Sequence, residues 1–220
     1  MAERRLDHDR RVALEALPSS VRPAFATLWN LDLALADVVA TTSEPALGAI
    51  RLAWWRERLE ELDSGRPPPG EPRLSAIARQ LVGRGITGRE LSRLEDGWLP
   101  LLQPFPWGEE AAEALRLRGR VLFAVGAKLL GSAPQDAEDA GALWSLVDAA
   151  GHCSDPQSRG FLMGSAQELL PKLPRKIPRE LRPLTVLAAL AAIEGVRAGS
   201  GLARLSAAVR HRLLGTLPRS

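Results

Sequence analysis

Arg51-Leu52-Ala53-Trp54-Trp55-Arg56-Glu57-Arg58-Leu59-Glu60-Glu61-Leu62 decides the fold class. Leu52, Trp55, Leu59 and Leu62 recur at steps of three and four, while Arg51, Arg56, Glu57, Arg58, Glu60 and Glu61 take most of the other positions. That is the period of a helix with one buried face, and opposite charges three or four apart support it on the wet side. Ser64-Gly65-Arg66-Pro67-Pro68-Pro69-Gly70-Glu71-Pro72 cannot extend the helix. Proline lacks the amide proton and restricts the residue before it, so this segment is a surface loop.

The same signature repeats on both sides. A helix is expected from about Glu3 to Leu17, stopped by Pro18-Ser19-Ser20, and a second from near Pro23 to about Ala40, with Phe25, Leu28, Leu35 and Val39 inward. Thr41-Thr42-Ser43-Glu44-Pro45 offers hydroxyls to cap the third helix and a proline for its first turn. Downstream, Leu74, Ile77 and Leu81 mark another helix, and Thr87-Gly88-Arg89-Glu90 has the spacing of a capping box. Pro100, Pro104 and Pro106 interrupt the chain before a long helix from about Glu109 to Leu130, closed by Gly131. Further helices are read from Asp136 to Cys153, from the Ser154-Asp155-Pro156 break to near Leu170, from Leu184 to Val196 and from Leu202 to Leu214. Period-two alternation is scarce. The expectation is an all-α, single-domain helical bundle spanning 1–220.

Composition agrees with this reading and narrows the function. Of 220 residues, 45% are hydrophobic, enough for a sizeable core. The 29 Lys and Arg against 26 Asp and Glu leave +3, so the pI of 9.7 overstates how basic the chain is near neutrality. Arginines are interspersed with acids and no basic run carries aromatics, which argues against nucleic-acid binding. That small excess of base allows a weak attraction to anionic lipid, and the densest basic cluster, Lys172, Arg175, Lys176 and Arg179, sits in a proline-rich linker from Pro171 to Pro183 that is read as a stiff connection. Cys153 is the single cysteine, which excludes an internal disulfide and fits a reducing compartment. Charges of both signs within Met1–Asp9 do not make a secretory signal, and Pro183 to Ile193 falls short of the ~20 residues a spanning helix needs. The expected location is cytoplasmic, with any membrane contact peripheral, at the inner membrane surface.

Phosphate-binding glycine loops, zinc-ligand spacings and nucleophile elbows are missing from the sequence. His8 falls in a surface helix, His152 at a helix end beside Cys153, and His211 among arginines near the C-terminus; for His152 a helix-end or core imidazole is commoner than a ligand.

Two segments carry a resemblance to a known family. They are Ala24 to Asp37, and Ser43-Glu44-Pro45-Ala46-Leu47-Gly48-Ala49-Ile50 running into Arg51, Trp54-Trp55-Arg56-Glu57 and Leu59. Together they resemble the squalene/phytoene synthases, the second being the more specific match, similar to the helix after that family's first aspartate-rich motif. Leu117-Arg118-Gly119 through Val125-Gly126 to Leu130-Gly131 is similar to its central helix, and Gly141 to Asp155 occupies the place of its second motif. The resemblance runs from about Pro23 to Leu170. It implies an isoprenoid (terpenoid) synthase type of helical bundle, in which two prenyl diphosphates are joined head to head. Mg²⁺ then neutralises the leaving diphosphate from carboxylates one helical turn apart on a common face.

This chain departs from that pattern where the metal would bind. Ala36-Asp37 stands where the family has paired aspartates and Ala40 where it has the third. In the second motif Ser145 replaces a Gln, Asp148 an Asn, Gly151 an Arg and His152 the first Asp, while Asp155 falls one residue before the second. No Tyr is present. Asp32 and Asp37, five residues apart, turn away from each other on a helix and are poor co-ligands.

The candidate ligand-binding residues are Asp37, Arg51, Trp55 and Asp148; no catalytic residue or metal ligand is assigned. Trp54 and Trp55 project about 100° apart, so at most one faces a central cavity. The function expected is that of a squalene/phytoene synthase-like protein without catalysis, a binding or assembly factor. The eroded aspartates resemble the branch that assists assembly of respiratory complex I. Its partners would be an isoprenoid-type lipid or a membrane protein complex. One alternative is a prenyl-diphosphate transferase with Mg²⁺ on an unusual set, Asp37, Asp148 and Asp155. Another is a carrier for an isoprenoid or quinone tail.

Overall fold

The computed structural model describes residues 6–65, 68, 70–196 and 201–218, and the regular elements among them are helical, with no strand. This is the all-α architecture read from the periodicity. Contacts group the chain into two units, Met1–Gln103 and Pro104–Ser220, within the 1–220 span read as one domain.

In the first unit, helix starts follow short-range caps. Asp7 opens α1 (His8–Ala16), its carboxylate accepting the Arg10 amide at 2.8 Å. The helix thus begins later than the Glu3 expected, whose own position lies outside the described residues. Next come α2 (Arg22–Thr41) and α3 (Pro45–Glu61). The Thr41-Thr42 hydroxyls do not cap α3, contrary to expectation. They donate backward to the Asp37 and Val38 carbonyls at 2.6 and 2.5 Å, four residues earlier at the end of α2. The unit is completed by α4 (Pro72–Gln80), α5 (Gly88–Ser92) and α6 (Leu94–Trp98). Thr87 and Glu90 form the expected capping box at the start of α5.

By length and composition α2 could cross a membrane. Its packing is that of a core helix: Phe25, Leu28, Trp29, Leu31 and Leu35 are buried, and Asp32 at its centre is completely enclosed. That carboxylate is compensated by charge and hydrogen bonding. Arg10 of α1 reaches it at 3.3 Å and the Trp98 indole N–H of α6 donates at 3.1 Å. A buried carboxylate requires such partners. Asp32 therefore fastens α1 and α6 to the helix between them.

In the second unit, α7 (Glu109–Leu129) lies against α8 (Glu138–His152), and α9 (Pro156–Leu169), α10 (Arg182–Val196) and α11 (Gly201–Leu214) follow. Gly131, at φ 71°, ends α7 as expected. The α7–α8 crossing is a backbone contact at Gly119 and Gly141, where a Cβ on either glycine would collide with the other's carbonyl oxygen. Cys153 is buried as a small apolar residue.

His211, placed among arginines by sequence, is instead enclosed between α10 and α11. Its Nε2 is 2.8 Å from the Thr185 hydroxyl and its Nδ1 3.1 Å from the Thr216 carbonyl. Burial holds the imidazole below its ordinary range, and the positive charge of Arg182 adds to the effect. The unfolded chain then accepts a proton that folded His211 refuses. The stabilisation is full above the ordinary imidazole value and falls as pH drops through it toward the depressed one. Urea unfolding between about pH 7.5 and pH 5 should show this loss, and His211→Gln should make it shallower.

Candidate functional site

Asp37, Arg51 and Trp55 belong to the first unit and Asp148 to the second. Asp37 is half-buried on α2 and is not a free carboxylate. Ala36 and Ala40, at the family's other aspartate positions, supply no oxygen. Arg51, exposed on α3, donates to the Thr42 hydroxyl at 2.8 Å and to that of Thr41 at 3.5 Å. It thereby ties the end of α2 to α3. Trp55 is buried, Trp54 is 40% exposed, and the two rings meet edge to face at 5.3 Å. One of the pair points inward, as the 100° separation requires.

The segment around those tryptophans also makes a charge pair that sequence reading did not single out. Arg56 lies 3.1 Å from Glu95 of α6, whose carboxyl is buried. Desolvation pushes that carboxyl up; Arg56 opposes the shift, and the neighbouring Asp96 and Glu60 reinforce it. Here the most family-like stretch fastens α3 to α6.

In the second unit, Arg118 of α7 is the organising charge. Its side chain is 1% exposed, donates to Asp148 at 2.9 Å and to the Ser145 hydroxyl at 3.1 Å, and lies 5.1 Å from the centre of the Trp144 ring. Ser145 and Asp148 are the residues that the sequence reading set in place of the Gln and Asn of a second motif. The arginine that engages them alternates with Arg116 and Arg120 on the long helix, and nothing in the sequence separates it from those two. His152 is exposed, with Nδ1 2.7 Å from the Asp148 carbonyl. Asp155 caps α9, accepting the Ser158 amide at 2.7 Å and its hydroxyl at 2.6 Å. Those two bonds hold its carboxyl below the usual range.

The donors present do not suit a diphosphate-bound Mg²⁺ cluster. Mg²⁺ takes hard oxygen ligands in near-octahedral order, commonly one or two carboxylates plus phosphate and water. Asp148 is neutralised by an enclosed guanidinium, Asp155 is committed to a helix cap, and Asp32 is bound by Arg10 and Trp98. Among the described residues no three of His, Cys, Asp and Glu come together as a metal-holding group. Asp148 and Asp155 thus each have an internal partner within the second unit, and Asp37, in the first, is not a free carboxylate.

Comparison with protein families matches residues 4–99 to the squalene/phytoene synthase model. The match takes in α1 to α6, including the Ala24–Asp37 and Arg51–Glu57 segments, and begins before the Pro23 expected. It ends ahead of α7 and of the stretch read as the second motif. No curated protein and no solved structure matches the chain.

Proposed function

From a chain that is squalene/phytoene synthase-like over residues 4–99, we propose a noncatalytic member of that group, one that acts as a binding or assembly factor. The observation that carries this reading is the buried Arg118–Asp148 pair, with Ser145 on the same guanidinium. An isoprenoid diphosphate synthase gathers unsatisfied acidic oxygens to hold metal. Here Asp148, which stands in place of the second motif's Asn, is spent on an internal cation, and alanines replace the first motif's partners of Asp37. Fold and chemistry separate in this way when a scaffold is kept and its site is not. The partner we put forward is respiratory complex I at the inner membrane surface, on the strength of the eroded aspartates; an isoprenoid-type lipid is the ligand class suited to the scaffold.

Purified full-length protein, incubated with farnesyl or geranylgeranyl diphosphate and Mg²⁺, should release no diphosphate above the background of Asp37→Ala. Mg²⁺-dependent release abolished by Asp37→Ala would overturn the reading. In the host cell, deletion should lower assembled complex I and leave isoprenoid synthesis intact; normal complex I would remove that partner.

A further inference from the structure

We propose that α11 is a membrane-docking helix that lays an apolar stripe on an anionic bilayer surface. Leu202, Leu205, Val209 and Leu213 are 80, 62, 49 and 69% exposed. At about 100° per residue they fall within an arc of about 80° on the outer side of the helix. The opposite side is the one held by the protein, where Ala207 and His211 are buried and Arg204 pairs with Glu194 of α10.

The helix is fixed in that orientation. Arg182 donates to the Leu213 carbonyl at 2.7 Å and to that of Arg212 at 3.2 Å, and Gly215, at φ 72°, turns the chain away with its amide on the His211 carbonyl. The leucines therefore face outward because their helix is anchored from behind.

Charge identifies the occupant. Arg210 and Arg212 are exposed and flank the stripe on its two edges, and α11 contains no Asp or Glu. The Gly215 carbonyl accepts the Ile177 amide at 2.8 Å, which brings the basic linker against the same end of α11. Lys172, Arg175, Lys176 and Arg179 of that linker are all exposed. A second copy of the chain would set these cations against their own kind. An anionic lipid surface satisfies both features, since an interfacial helix buries its apolar side at the acyl boundary while flanking bases meet the headgroups. This surface stands independently of whether the chain has lost catalysis.

Flotation of the full-length protein with vesicles tests the assignment. Binding should be strong to phosphatidylcholine with phosphatidylglycerol, weak to phosphatidylcholine alone, and reduced at about 1 M salt, where charges are screened within about 3 Å. Leu205→Gln with Leu213→Gln should lower partitioning about tenfold per residue without lowering the melting temperature, because both side chains are already solvated. Arg210→Gln with Arg212→Gln should weaken binding to the anionic vesicles and leave the weak binding to phosphatidylcholine unchanged. Failure of the wild type to float with anionic vesicles, or unchanged binding by the leucine double variant, would overturn the proposal. So would a dimer in sedimentation that the leucine double variant dissociates, since the stripe would then belong to a second copy.

Discussion

Replacing Arg118 by methionine should destabilise the protein by about 3–5 kcal/mol, read as a lower urea midpoint, because Asp148 would be left charged and without its guanidinium. Desolvating a charge is costly, and its partner repays the cost only while both are present. Removing both, as Arg118→Met with Asp148→Leu, should therefore restore much of the loss. Arg118→Lys should fall between, since an ammonium cannot reproduce the planar fork that reaches both Ser145 and Asp148 while lying near Trp144. Arg120→Met is the control. Its pair with Glu113 is largely solvated, and the change should stay within about 0.5 kcal/mol. If Arg118→Met and Arg120→Met behaved alike, Arg118 would lose its organising role, and the functional proposal would lose its main support.

The second large effect is steric. Gly119→Ala or Gly141→Ala should each cost about 3 kcal/mol or more, because the added carbon meets backbone of the facing helix, which cannot swing aside as a side chain can. Thermal unfolding would register this directly. Gly160→Ala and Gly164→Ala on α9 should move the other way, by about 0.5–1 kcal/mol, since nothing lies near their added carbon and alanine favours helix. Equal behaviour of the two pairs would mean that α7 and α8 do not approach as closely as the glycines imply.

These effects separate the residues legible in the sequence from those that were not. The helix caps were legible. Thr87 with Glu90, Asp155 before Pro156, and Gly131 after α7 each satisfy or release backbone groups within a few positions, so their roles can be read from neighbours. The inward set Leu52, Trp55, Leu59 and Leu62 was legible from period alone, and all four are buried. Where a local reading went astray, two local partners competed. The hydroxyls of Thr41 and Thr42 could cap forward or bond backward, and the carbonyls ending α2 took them.

The candidate site was less legible. Asp37 stood out because it stands where the family has an aspartate, and Asp148 because it replaces a motif residue. What each does depends on side chains far away in the chain. Asp148 meets Arg118 across 30 positions and Asp32 meets Trp98 across 66. An aspartate at the centre of an apolar 20-residue helix signals a buried charge; it does not name the cation that answers it.

By itself, the sequence determined an all-α chain, most of its helix boundaries, and its likeness to the squalene/phytoene synthases, confirmed over residues 4–99. Those properties rest on periodicity, capping and motif spacing, which act over a few residues at a time. Tertiary structure decided which acids are spent on internal cations, that Gly119 and Gly141 let two backbones touch, and that α11 turns its leucines outward. Each of those depends on which helix faces compete for burial, and burial is a property of the packed molecule.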